Sequence, residues 1–210
     1  MIRIVAGQLR GRRLAVGPGV RPTTERAREA LFSILGERIR DARVLDAAAG
    51  SGAVGFEALS RGAREVVFVE ADRRVARVLE ANAVATGMGR RTVIHVRTVA
   101  TFLRVDRPSA FDFAFFDPPW ADPVVDELEG LWAALAAGGT FVLERGRDMD
   151  PWASAPVAPD VRRYGKTAFF LYTRPGASAT GQGAGGSAPG TGEASEDPSR
   201  EPVPRPSQKH

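Results

Sequence analysis

Apolar and polar positions fall into alternating blocks along most of the chain. Five runs are close to continuously apolar: RVLDAAA (43–49), VVFVEA (66–71), RTVIHVR (91–97), FDFAFFD (111–117) and TFVLERG (140–146). Such runs predict strands covered on both faces, as in a parallel sheet. The stretches between them, VGFEALSRG, RRVARVLEANAVATG and PVVDELEGLWAALAAGG, are amphipathic. Val75, Val78 and Leu79 keep the i, i+3, i+4 spacing of a helix face. Gly62, Gly87 and Gly138 stand where helices end on a C′ glycine. Repeated strand–helix alternation predicts an α/β fold with a doubly wound, mostly parallel sheet. VRRYGKTAFFLYTR (161–174) adds two strands joined at Gly165, making seven strands with an antiparallel hairpin at one end.

The chain ends follow other patterns. RIVAGQLRGRRLAV (3–16) predicts two short strands around a Gly/Arg turn, a small basic β-hairpin extension. RPTTERAREALFSIL then predicts a helix with Pro22 before it, Thr23 or Thr24 as N-cap, and Ala27, Leu31, Ile34 and Leu35 as its buried stripe. From about Pro175 the sequence is Gly, Ser, Pro, Ala and Thr with almost no large apolar residue. Such a segment cannot offset its chain entropy and is expected to be disordered. Three segments result: a hairpin over 1–20, a folded domain over 21–174 and a tail over 175–210.

Composition narrows the chemistry. With 43% hydrophobic and 26% charged residues, 210 residues suffice for one domain with a full core. There are no cysteines and two histidines, so disulfides, thiolate sites and histidine metal clusters are excluded and no metal is expected. No secretory h-region opens the chain, and no apolar run approaches the ~18 residues of a membrane span. A cytoplasmic protein acting as a monomer is expected. The net charge is only +4, but residues 1–28 hold seven arginines against one acid, Glu25. So dense a basic block predicts a phosphate-rich partner.

VLDAAAGSGAVGFEAL has the strand–loop–helix plan of a nucleotide-cofactor site, and its glycines satisfy G-x-G-x-x-G, with Glu70 twenty residues past Gly50. A dinucleotide would suit that motif, but Asp46 at the tip of the strand does not suit a pyrophosphate. It suits a cation, and S-adenosylmethionine carries a sulfonium and an ammonium. Gly50 and Gly52 are expected to let the backbone approach that cofactor. Glu70 can accept both ribose hydroxyls of either cofactor.

Asp117-Pro118-Pro119-Trp120 ends the fourth run beside this crevice. An exocyclic amine on a base is a poor nucleophile because its lone pair is delocalised into the ring. The Asp117 carboxylate and the Pro118 carbonyl can accept its two N–H groups and aim the lone pair, while proline fixes the backbone direction. Trp120 offers a face for stacking, worth ~1–3 kcal/mol. Positioning and electrostatics would then supply the catalysis. Adenine N6 in DNA or RNA is the competing substrate, an NAD-dependent oxidoreductase the competing enzyme, and an RNA-binding assembly factor the non-catalytic alternative. His95, inside the third run, is read as structural.

RPTTERAREALFSIL, LDAAAGSGAVGFEALSRGA, FVEAD and DPPW stand in the order and spacing of the RsmD-type small-subunit rRNA guanine-N2 methyltransferases, and the opening hairpin resembles theirs. The resemblance covers about residues 2–174 and implies S-adenosylmethionine-dependent methylation of one guanine N2 in 16S-type ribosomal RNA, on an assembled or partly assembled small subunit. It implies that Asp46, Ala48, Gly50, Ser51, Gly52 and Glu70 hold the cofactor. Arg21, Thr23 and Thr24 would close over the cofactor or base, while Arg10, Arg12 and Arg13 would grip rRNA phosphates. Two positions depart from the pattern. Trp120 replaces the more usual Phe or Tyr, and Thr98, or the backbone of Val99, stands where relatives carry a polar residue beside the adenine.

Overall fold

The computed structural model describes residues 1–20, 23–106, 108–118 and 124–176. The opening hairpin is β1 (Ile2–Arg3) paired antiparallel with β2 (Arg13–Leu14). The main sheet contains β3 (Arg43–Ala47), β4 (Glu65–Glu70), β5 (Thr92–Val96), β6 (Phe111–Phe116), β7 (Leu135–Gly146), β8 (Asp160–Tyr164) and β9 (Thr167–Thr173). Its order is β5-β4-β3-β6-β7-β9-β8, parallel from β5 to β7 and antiparallel where β9 enters. The seven-stranded doubly wound sheet, its closing hairpin and the basic N-terminal hairpin are all as the sequence predicts. The expected tail lies outside the described residues beyond Gly176.

Period-two alternation distributes the strands between two cores. Val44, Val66, Phe68, Phe113 and Phe115 face α1 (Glu25–Leu35), α2 (Ala53–Ser60) and α3 (Arg73–Thr86). Leu45, Val67, Val69, Ala114 and Phe116 face α4 (Val99–Asp106) and α5 (Val125–Ala133). A strand that serves both cores must be apolar at nearly every position, hence the unbroken runs. Thr24 is the N-cap of α1, its Oγ1 accepting from Ala27 N at 3.2 Å. Gly87 ends α3 in the left-handed conformation.

Two expectations fail. Gly138 does not stop a helix: α5 ends at Ala133 and β7 begins at Leu135. The register between β6 and β7 shifts between Phe111 and Phe113, and a Cβ on Gly139 would come within 2.8 Å of Phe111 O. The glycine pair therefore makes an irregularity in a strand, where close backbone approach excludes a side chain. Arg28, counted in the basic block, does not face solvent. It is 1% exposed and donates from Nη1 to Thr23 O (2.8 Å) and from Nη2 to Arg3 O (2.7 Å).

The hairpin is seated on α2 by polar groups. Glu57, fully buried, accepts from Val5 N (2.7 Å) and Ala6 N (3.0 Å) and pairs with Arg61 at 2.8 Å. Leu9 N donates to Ser60 Oγ (2.9 Å), and Gln8 N donates to Ser60 O (2.8 Å). At Gly7 the backbones approach so closely that an added Cβ would fall 1.9 Å from Ser60 O. The chain then returns as a strap. Ala15 and Asn82 exchange two hydrogen bonds of 2.9 and 3.0 Å, and a Cβ on Gly50 would meet Val20 Cγ1 at 3.0 Å.

Candidate active site

Strand order reverses between β3 and β6, and the crevice outside their carboxyl ends is where open α/β sheets bind ligands. Four acids sit at these strand ends: Asp46 on β3, Glu70 ending β4, Asp117 directly after β6 and Glu144 on β7. Asp46 is buried and accepts from Gly55 N, in the first turn of α2, at 2.9 Å. Burial raises its carboxyl from 3.8 to about 8; the Gly55 N–H opposes the rise, and Glu70, Asp117 and Glu144 add to it. Among the described residues the charges acting on this buried acid are those of other acids, an environment that a positively charged ligand would relieve.

The glycine loop is built around Glu70. Gly50 N donates to Glu70 Oε2 (2.9 Å) and Asp72 N to Oε1 (2.8 Å), so the carboxylate is oriented with lone pairs to spare for hydroxyls. Ala48 holds φ of +60°, a left-handed conformation uncommon for a residue with a side chain, beside the crevice. Ser51 is buried, and its carbonyl accepts from Asn82 Nδ2 at 3.2 Å. Gly52 is also required by packing: its φ is +74°, and an added Cβ would lie 2.4 Å from Leu79 Cδ1 and 2.8 Å from Phe56 Cε2.

The remaining predicted residues divide into two groups. Asp117 is half-buried and Pro118 buried at the end of β6, whereas Pro119, Trp120 and Arg21 lie outside the described residues. Thr23 donates from Oγ1 to Glu144 Oε2 at 2.7 Å, while the Thr24 hydroxyl is engaged in capping α1. Thr98 is likewise engaged at the start of α4, its Oγ1 accepting from Thr101 N at 3.2 Å, and Val99 opens that helix half-buried. Arg10, Arg12 and Arg13 are exposed on the hairpin. His95 packs on Phe102 with ring centroids 4.9 Å apart.

Glu144 is the site residue that the sequence did not reveal. It is 8% exposed, and its carboxyl is pushed up to about 7 by burial first and by the charge of Asp117 next. In TFVLERG it reads as the polar end of a strand. Only the β6–β7 register, with Phe116 opposite Leu143, places it level with Asp117. Among the described residues no helix is long and apolar enough to cross a membrane, and no acid or histidine group is arranged to hold a metal.

Comparisons with known proteins identify relatives of the chain. The family described as conserved hypothetical protein 95 matches residues 2–173. Ribosomal RNA small subunit methyltransferase D of Escherichia coli (strain K12) is 41% identical over 132 residues, 62% of this chain. That match spans 66% of the relative, just under two thirds of its length. The protein of the same name from Haemophilus influenzae is 40% identical over 123 residues, 57% of this chain and 64% of its own. Among solved structures, the putative methyltransferase yhhF from Escherichia coli aligns with a TM-score of 0.71 and 35% identity over 83% of this chain and 98% of its own. A hypothetical protein from Thermus thermophilus gives 0.70 and 36% over 81% and 98%.

Proposed function

We propose, from the premise that the chain belongs to the conserved hypothetical protein 95 family, that it methylates the exocyclic N2 of a guanine in small-subunit ribosomal RNA, using S-adenosylmethionine, on an assembled or partly assembled particle. The observation that carries this is the buried Asp46, its carboxyl raised by burial and by neighbouring acids, at the strand-order reversal, with Glu70 and Asp117 on the strands to either side. The residues present fit the cofactor. Asp46 would balance its positive charge, the oriented Glu70 would accept ribose hydroxyls, and Ala48 to Gly52 would line its path, with Thr98 and Val99 at the adenine end. Bound there, S-adenosylmethionine supplies a methyl group on an electron-poor sulfur.

The chain's own part is to present the amine. Asp117 and the Pro118 carbonyl accept its two N–H groups, which favours pyramidalisation and directs the nitrogen lone pair. Trp120 would carry the base, and Pro119 would stiffen the turn between them. The exposed Arg10, Arg12 and Arg13, together with Arg21, would hold phosphates and bring the RNA to the mouth of the site.

Labelled-methyl transfer onto purified small subunits, free rRNA and DNA, followed by nucleoside analysis, tests the proposal. Label in N2-methylguanosine on small subunits is the expected result. Label in N6-methyladenosine would replace the substrate and leave the site chemistry standing. Calorimetric binding of NAD with indifference to S-adenosylmethionine would overturn the proposal outright.

A further inference from the structure

A second group of arginines stands at the opposite ends of the strands from the crevice. There a cavity of about 420 Å³ is lined by Gln8, Arg40, Asp41, Gly62, Arg64 and Arg91. Arg40 and Asp41 precede β3, Gly62 and Arg64 precede β4, and Arg91 precedes β5, so the cavity opens at the amino ends of three neighbouring strands. Gln8 comes from the hairpin turn, two residues before the exposed Arg10. Helix α2 connects the two places. In its first turn Gly55 N donates to Asp46 in the crevice, and at its end Ser60 O accepts from Gln8 N at 2.8 Å. Its eight residues span about 12 Å.

The walls of this cavity are fixed by backbone groups. Asp41 N donates to Gly62 O (2.9 Å) and Arg64 N to Ala42 O (2.8 Å), which ties the loops before β3 and β4 together. Arg91 donates from Nη2 to Ala63 O and from Nε to Arg64 O (3.3 Å), so its guanidinium is held against the second loop. Among the described residues no carboxylate lies within salt-bridge distance of Arg64 or Arg91. Arg40 pairs with Glu37 on the open surface, where such a pair contributes little and exchanges readily for another anion. Three arginines thus face one acid, Asp41, across a shared space. The planar fork of a guanidinium matches phosphate oxygens, and Gln8 adds an amide donor.

Resting on the rRNA methylation reading above, we propose that this cavity is a second RNA phosphate site, in which Arg40, Arg64 and Arg91 take a backbone phosphate of the strand that leaves the hairpin past Arg10. RNA contact then follows the length of α2 instead of ending at the hairpin. Such a contact reads no base. It fixes the register of the RNA from a point remote from the reacting atoms.

Salt-dependent binding of the full chain to free small-subunit rRNA tests this. Arg40→Gln with Arg64→Gln removes two exposed charges and leaves Arg91, which holds two carbonyls, in place. Affinity should fall roughly ten-fold at low salt, and the slope of log K against log salt should fall by about two. S-adenosylmethionine affinity and melting temperature should not change. Arg104→Gln with Arg162→Gln removes the same charge from α4 and β8 and should keep the native slope. Asp41→Asn suits the left-handed backbone there (φ +56°) and should tighten RNA binding by about two-fold. A native slope in the Arg40/Arg64 protein, or an equal loss in the Arg104/Arg162 protein, overturns the inference. Saturable calorimetric binding of inorganic phosphate to the native chain, lost in the Arg40/Arg64 protein while rRNA binding is kept, would assign the cavity to a free anion and overturn it as well. Methyl transfer by the native chain separates the two proposals. If small subunits are methylated and the slope does not move, only the cavity's role falls. If no rRNA is methylated and the slope does fall, the methyl-transfer reading falls and the cavity stands as an RNA site.

Discussion

At the scale of single residues, Asp46 and Asp117 make opposite demands on the protein. Asp46 keeps its proton to about pH 8 in the folded, ligand-free chain but loses it near 3.8 when unfolded. Stability is therefore greatest below the unfolded value, falls as pH rises from about 4 to 8, and is flat beyond. Asp46→Asn keeps an acceptor for Gly55 N and removes the ionisation. It should raise the melting temperature at pH 8 by roughly 3–6 °C, with little change at pH 4, as thermal melts across that range would show. The same change should weaken S-adenosylmethionine binding by about 10–100-fold in calorimetry, because a charged partner is lost. In the native protein that affinity should climb with pH up to about 8, the ionised carboxylate being the form that a cation selects. Asp117 has a narrower role. Asp117→Asn should lower kcat by at least about 100-fold while leaving cofactor affinity within a few-fold, if its carboxylate accepts from the amine as proposed.

At the scale of elements, the hairpin depends on α2 for its position. Removing the Glu57 carboxylate leaves the Val5 and Ala6 N–H groups and the Arg61 guanidinium without their acceptor. Glu57→Ala should cost about 2–4 kcal/mol by denaturant titration, and RNA affinity should fall with it. Why GFEALSRGA is so distinctive follows from this. Glu57, Ser60, Arg61 and Gly62 form a seat for residues 5–9 and the close of a helix, whereas the sequence shows only one more amphipathic stretch. The strands were legible because period and punctuation are local: Glu70 and Asp117 stand at or just past the ends of their strands, and Asp46 is the one acid inside the first apolar run. Glu144 was not legible, because its neighbours are brought together by a strand register and by Thr23, more than a hundred residues away in the chain. Gly138 misled for a related reason, since a left-handed glycine closes a helix and kinks a strand equally well. Gly52 carries a second demand that the motif did not reveal: Leu79 and Phe56 occupy the space a Cβ would need.

At the scale of the whole molecule, one group of charges of each sign stands apart. Acids gather in the crevice, and arginines gather on the hairpin. Replacing Arg10, Arg12 and Arg13 together with alanine should weaken RNA binding and reduce the slope of log K against log salt by up to about three phosphates' worth, with cofactor binding unchanged. An unaltered slope would show that the hairpin does not touch phosphate. The seat of that hairpin also shapes what a genetic screen would find. Position 7 carries no charge and lies on the hairpin turn, yet any side chain there would collide with the Ser60 carbonyl. Selection for loss of RNA binding should thus recover substitutions at Gly7 and Glu57 as well as at the arginines. The glutamate hits would carry a paradoxical sign: a protein that discards a negative charge and, in doing so, holds a polyanion less well.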